Sequence, residues 1–260
     1  MRARIARLFT KRPEPVAAPI EDRIRFEGDF NSYEEALAAC NGSAGYSSDT
    51  AIERSIKRYQ EVSADPAKAI RDASDQVIRF MAAFSLCKPI DGVYRVYDLG
   101  GGYGAIYHLF RYLYPDARFH WTVVELPALV ARASEIGASA EKEFSTEIPP
   151  GPYSLGISSG TLQYLKDPSA GLANMAVANA AVTYLNRFPL DRRSIKDRLA
   201  VQHVPSSYFE ASFPVWFFSL KWERSFPGLG NLLAEWNSPG DVVELDGKTL
   251  AYSAFLFKRP

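Results

Sequence analysis

Two carboxylates at the ends of apolar runs set the chemistry this chain can perform. Asp98 closes the run that starts at Val93, and Leu99-Gly100-Gly101-Gly102-Tyr103-Gly104 follows it. Beyond the glycines, Ile106, Leu109, Phe110 and Leu113 recur at helical spacing. That pattern predicts a strand, a tight loop and a helix start. Glycines accept positive φ and leave bare backbone for a ligand to lie against. The unpaired N–H groups and positive dipole end of the helix then form a seat for a carboxylate or a phosphate. Glu125 closes a second β-type run from Phe119, one strand and one helix further on, with Leu126-Pro127 after it.

Two cofactors compete for such a loop. Gly100, Gly102 and Ala105 satisfy the loose G-x-G-x-x-G/A dinucleotide pattern, which is a weak signal by itself. Asp98 discriminates, because a carboxylate two residues before the first glycine is unwelcome beside a pyrophosphate. It suits S-adenosylmethionine, whose amino-acid end carries an ammonium as well as a carboxylate. Glu125 stands at the mouth of the second strand, where ligands of open α/β sheets bind, and can accept from ribose hydroxyls of either cofactor. A glycine turn that holds no ligand satisfies the same spacing, and a surface glutamate capping the next helix is the plain alternative for Glu125.

Further candidates follow in chain order. Ser158, Ser159 and Gly160 end a fourth strand and are small enough for the donor's methionine part to approach. Gln163 and Tyr164 lie on the loop after it, toward substrate. Arg187 and Gln202 are candidates for orienting an acceptor, since arginine grips a carboxylate or phosphate in a planar fork. His203 is the candidate general base for a hydroxyl acceptor. Tyr208 and Trp216 belong to an aromatic-rich stretch that reads either as core or as a substrate wall that stacks on a sugar ring.

The elements that must position these groups read as one α/β domain with a helical extension. Residues 1–20 are expected to form a flexible basic leader, without the apolar core or cleavage site of a secretory signal. Residues 21–90 are expected to be helical, packing on the sheet or covering the donor pocket. Residues 91–260 alternate strands and helices, which implies a doubly wound, mostly parallel sheet. At its end, Leu232–Trp236 and Leu250–Phe257 flank a Pro-Gly and Asp-Gly loop and are expected to form an antiparallel hairpin.

Composition narrows the class. The 260 residues carry 30 basic and 30 acidic side chains, so no broad basic field favours nucleic acid. Three histidines without ligand spacing argue against a protein-held metal. Cys40 and Cys87 read as free thiols of a reducing compartment, and a cytoplasmic location is expected. No apolar run reaches spanning length, so stable membrane insertion is not expected. A homodimer is compatible with all of this.

The pattern apolar-x-Asp-x-Gly-x-Gly-x-Gly resembles the first motif of the class I methyltransferases. Four segments make the resemblance more specific: Tyr97-Asp98-Leu99-Gly100-Gly101, Val124-Glu125-Leu126-Pro127, Leu162-Gln163-Tyr164-Leu165 and Leu199-Ala200-Val201-Gln202. Together with Tyr208 through Trp216 they look like one bacterial family of methyltransferase-like proteins whose genes often accompany surface-polysaccharide synthesis. The likeness spans roughly Phe26 to the C-terminus. This chain departs from the pattern at Asn186, where an acidic residue is expected beside Arg187. The resemblance implies an S-adenosylmethionine-dependent methyltransferase acting on a small molecule or a sugar or glycan intermediate. It implies donor contacts from Asp98, Gly100, Gly101, Gly102, Glu125, Leu126, Ser158, Ser159 and Gly160. The rivals are a nicotinamide-dependent oxidoreductase and a protein that binds S-adenosylmethionine without catalysis.

Overall fold

The computed structural model describes residues 23–224 and 226–260; the expected leader over 1–20 lies outside them. The described residues open with a short strand β1 (Arg25–Glu27) and four helices: α1 (Tyr33–Ala39), α2 (Asp49–Ala64), α3 (Pro66–Asp72) and α4 (Ser74–Ser85). Local chemistry explains where three of them start. Ser32 accepts from the Glu35 N–H, Ser48 from Ala51 and Asp65 from Lys68, and Pro66 takes a first-turn position of α3. Each cap satisfies a donor that the helix itself leaves open.

From Tyr94 onward strands and helices alternate: β2 (Tyr94–Leu99), α5 (Ala105–Leu113), β3 (Phe119–Val124), α6 (Pro127–Ile136), β4 (Lys142–Ser145), β5 (Tyr153–Ser159), α7 (Pro168–Val177) and β6 (Ala180–Phe188). Three short strands follow, β7 (Leu190–Asp191), β8 (Arg198–Val204) and β9 (Ala211–Ser219), and then the long pair β10 (Asn231–Leu245) and β11 (Lys248–Lys258). The main sheet has seven strands in the order β10-β11-β6-β5-β2-β3-β4. Pairing is parallel from β6 through β4, while β11 runs antiparallel to both β6 and β10. This is the doubly wound, mostly parallel sheet closed by a C-terminal antiparallel hairpin, the class I methyltransferase-like architecture.

Alternation along β2 sorts its residues between two cores. Val96 joins Trp121, Val123, Leu155 and Ile157 under Phe80, Phe84, Tyr107 and Phe110 of α4 and α5. Tyr97 joins Leu172 and Met175 of α7 on the opposite face, with Phe188, Phe218, Phe255 and Phe257. Cys40 and Cys87 are buried free thiols.

Two expectations change. The hairpin strands are longer than expected: β10 continues past Pro239 and Gly240 with a register shift between Ser238 and Val242. The turn falls on Asp246-Gly247, both at positive φ, as a two-residue hairpin connection requires. Proline and glycine are tolerated there because β10 is the edge strand. Second, the N-terminal segment is not purely helical, since β1 pairs with β8 in a separate four-stranded sheet of order β1-β8-β9-β7. Among the described residues no helix is long and apolar enough to cross a membrane.

Candidate donor and acceptor site

β2, β3 and β5 all end at one rim of the sheet, and the sequence-identified residues of the first two motifs meet there. Leu99 pairs with Val124 on one side and Ser158 on the other. Gly100, Gly102 and Gly104 adopt φ of 74°, 60° and 82°, the left-handed region that disfavours other residues. The three bends turn the chain from β2 into α5. Gly104 is the N-cap of α5 and brings no side-chain hydrogen bond to it, so the first N–H groups of the helix stay available for a ligand.

Each glycine is also packed by the protein itself. A Cβ on Gly100 would lie 2.0 Å from the Thr161 hydroxyl, on Gly101 2.4 Å from Asp98 Oδ2, and on Gly102 2.8 Å from the Ser55 hydroxyl. Thr161 in turn donates to the Leu99 carbonyl at 3.0 Å, tying the loop after β5 to the end of β2. Ser55 belongs to α2, so that helix lies across the glycine loop. Solvent still partly reaches Gly100–Gly102, Glu125 and Ser159–Thr161, and Leu126 is exposed.

The two carboxylates behave differently. Glu125 is partly buried, and it accepts from the Gly102 N–H through Oε1 and from the Leu126 N–H through Oε2, both at 2.9 Å. Burial raises its pKa, and these two backbone donors pull it part of the way back. Each oxygen keeps a second lone pair for a ligand hydroxyl. Asp98 is 1% exposed, tucked beneath Gly101, and neither oxygen has a hydrogen-bond partner. Burial first, and Glu125 second, push its pKa up to about 7, against a smaller lowering effect from Trp121. An orphaned buried acid is costly, and a ligand ammonium would relieve it.

The sign of this linkage follows from the direction of the shift. The folded protein holds the Asp98 proton up to about pH 7, whereas an unfolded chain releases it near pH 3.9. Stability from this group is therefore present at acid pH and is lost as pH rises toward 7. Asp98→Asn is expected to melt above wild type at pH 8, by ~2–4 °C for each kcal/mol recovered. The difference should shrink at pH 5 and close only below about pH 4, where both states hold the proton. An asparagine variant that melts lower at both pH 8 and pH 5 would show that the carboxylate is stabilising.

A second group lies beyond Thr161. Ser159 accepts from the Asn186 amide at 3.0 Å, so Asn186 serves the strand ends rather than an acidic function. Ser158 Oγ is buried and unpartnered on the other face. Gln163 is 2% exposed, its amide nitrogen 3.7 Å from where a Gly160 Cβ would stand. Tyr164 donates to Gln202 Oε1 at 3.1 Å. Arg187 sits at φ 53° inside β6, where the register with β11 shifts. Its half-exposed guanidinium forks onto Asp241, with Nε at 2.7 Å and Nη2 at 3.1 Å, and lies 5.1 Å over the Tyr252 ring. A non-glycine residue at positive φ stores strain, a recurrent feature of functional sites. Tyr46 completes this wall, its ring 5.1 Å from Tyr164 and 4.6 Å from Phe213.

The structure does not bring His203 to this group. Along β8 the side chains alternate, so Gln202 faces Tyr164 and His203 faces the other way. His203 Nδ1 is 2.9 Å from the Ser212 hydroxyl and its Nε2 is 3.4 Å from Glu27. It lines a cleft of about 560 Å³ with Arg25, Ser43, Ser48, Glu210 and Ser212, and this cleft is not at the glycine loop. Tyr208 is half exposed beneath the Arg54 guanidinium, 4.6 Å from its ring. Trp216 donates its indole N–H to the Leu165 carbonyl at 3.2 Å and so braces the loop that carries Gln163 and Tyr164. Sequence reasoning missed Thr161, which directly follows the candidate Gly160, and Tyr46, Ser55, Asp241 and Tyr252, which come from distant segments.

Compared with protein families and with curated proteins, the sequence matches none. Solved structures share the chain path. The [4+2]-cyclase SpnF is 14% identical, with a TM-score of 0.47 over 70% of this chain and 80% of its own. A protein from Methanosarcina mazei, described as an S-adenosylmethionine-dependent methyltransferase, is 13% identical, with a TM-score of 0.45 over 65% of this chain and 94% of its own. LepI in complex with S-adenosylmethionine is 15% identical, with a TM-score of 0.42 over 64% of this chain and 43% of its own. At such identities and scores the likeness concerns the fold and says nothing of what this chain binds.

Proposed function

We propose that this chain is an S-adenosylmethionine-dependent methyltransferase acting on a small molecule or on a sugar or glycan intermediate. One observation carries the reading: a glycine loop between two adjacent strand ends, with the unpartnered carboxylate of Asp98 beneath it and Glu125 beside it. The residues fit the donor. Glu125 would accept from the ribose hydroxyls, each charged hydrogen bond contributing ~1.5–3 kcal/mol. Leu126 would flank the adenosine, and the bare backbone of Gly100–Gly102 with Ser158–Gly160 would take the methionine part. Asp98 supplies negative charge beneath the ammonium.

When bound, S-adenosylmethionine supplies a methyl group on a good leaving group, so the protein's task is alignment. Arg187 and Gln202, with Gln163 and Tyr164, orient the acceptor at the rim past Thr161. Burial raises the pKa of Tyr164, so its hydroxyl stays protonated and acts as a hydrogen-bonding group. The sugar or glycan class of acceptor is supported by the family resemblance and by the aromatic wall of Tyr46, Tyr164 and Tyr252.

Transfer of a labelled methyl group to surface-glycan precursors tests the activity. Arg187→Ala is expected to lower transfer about tenfold or more, the worth of a charged hydrogen bond, with donor affinity unchanged. Loss of donor affinity in that variant would move Arg187 out of the acceptor site. Tight donor binding without transfer to any acceptor would favour a non-catalytic binding protein.

A further inference from the structure

One buried charge is not used by the chemistry above. Lys142 opens β4 with its side chain turned inward, 2% exposed. Its Nζ donates to the Tyr103 carbonyl at 3.0 Å. The rings of Tyr59, Tyr107 and Phe144 surround it at 4.5, 5.4 and 5.5 Å. A Cβ on Gly104 would lie 3.1 Å from Nζ, so only backbone separates this nitrogen from the start of α5.

No carboxylate neutralises it among the described residues. The titratable groups facing it are His108 and Tyr107 from α5 and Tyr59 from α2; the loop contributes the Tyr103 carbonyl, and Gly137, the C-cap of α6, contributes backbone. Around these, Tyr107 donates to Glu141, which also faces Arg111, while Arg132 and Glu125 act on Tyr103. Burial, and after it Lys142, lower the His108 pKa to about 4, so His108 is neutral near pH 7. Burial pushes the lysine itself down to about 8, so it stays mostly charged at pH 7.

An unneutralised buried cation costs stability. Its folded pKa lies below the unfolded value of about 10.4, so the unfolded chain binds more protons between those values and stability rises with pH across that window. A group that weakens the fold near neutral pH, yet sits directly behind a ligand loop, points to a task there.

We propose that Lys142 is a positioning residue of the donor site: its ammonium reinforces the positive end of α5 through the Gly104 backbone, and that helix end in turn holds the α-carboxylate of the donor's methionine tail. The inference rests on the donor reading above. It explains how a loop bordered by two acids, Asp98 and Glu125, accepts a ligand that also carries a carboxylate.

The test is calorimetry on the full chain with two probes, S-adenosylhomocysteine and its decarboxylated analogue, which keeps the amine. Lys142→Met is expected to melt above wild type at pH 7 and to bind S-adenosylhomocysteine at least fivefold more weakly, with the analogue unaffected. In wild type, the preference for the carboxylate-bearing probe should shrink as pH rises from 7 to 9, and in the variant it should stay flat. Unchanged affinity, or equal loss for both probes, overturns the proposal, because a merely structural lysine cannot tell the two apart. Should the variant not fold, the wild-type pH profiles decide alone, and parallel profiles overturn it. Wild-type protein that binds neither probe defeats the donor reading itself, a result distinct from indifference to the carboxylate.

Discussion

Gly102→Val is expected to abolish donor binding, by at least ~100-fold, while the chain still folds. Gly102 adopts φ 60°, so an L side chain there costs ~1–2 kcal/mol of backbone strain. The new Cβ would stand 2.8 Å from the Ser55 hydroxyl, which is the far end of a rotatable side chain and can turn away. The two branches of valine then stand on the loop's own backbone, beside α2, where the proposed site places the methionine part of the donor. Gly42→Val is the control. Gly42 has a similar φ of 75° and open space around its Cβ position, and it lies at the His203 cleft. Strain of the same kind there should lower the melting temperature and leave donor affinity alone. Equal affinities in the two variants would mean that the ligand, if there is one, binds elsewhere.

Glu125→Ala should weaken donor binding by ~10–100-fold, the equivalent of one charged hydrogen bond of ~1.5–3 kcal/mol. In the proposed site the carboxylate has a second task beside ribose binding, since its oxygens already accept from the Gly102 and Leu126 backbone. Removing it orphans both N–H groups and loosens the loop, so some of the loss comes through loop order. Glu125→Gln separates the contributions: one amide oxygen still accepts a backbone N–H, whereas the charge that favours two ribose hydroxyls is gone. An intermediate affinity for the glutamine variant is expected. Alanine and wild-type proteins of equal affinity would leave Glu125 as nothing more than a loop brace.

Much of this site was legible because its signals are local. The apolar run into Asp98, the glycines and the helical period after them sit within some twenty residues, and Glu125 follows at the matching end of the next strand. The four-stranded sheet was not legible. Its pairing of Arg25 with His203 joins segments far apart in sequence, which no local periodicity records. β8 therefore read as a string of motif residues, and the alternation that sends Gln202 and His203 to opposite faces was missed. β9 read as an aromatic cluster with either a core or a substrate role; Phe217 and Phe218 are core, on opposite faces of the strand. Lys142 was invisible for another reason: a lysine at a strand start reads as a surface group, and only the packing of α2 and α5 around it shows otherwise.

The account turns on what binds the glycine loop, and one titration tests it most directly: wild-type protein with S-adenosylhomocysteine and, separately, with NADH, near pH 7 in two buffers of different protonation enthalpy. Binding of the adenosyl compound alone is predicted, with release of a fraction of a proton as the incoming ammonium draws the buried Asp98 into its charged form. Binding of NADH alone, or of neither ligand, would contradict it.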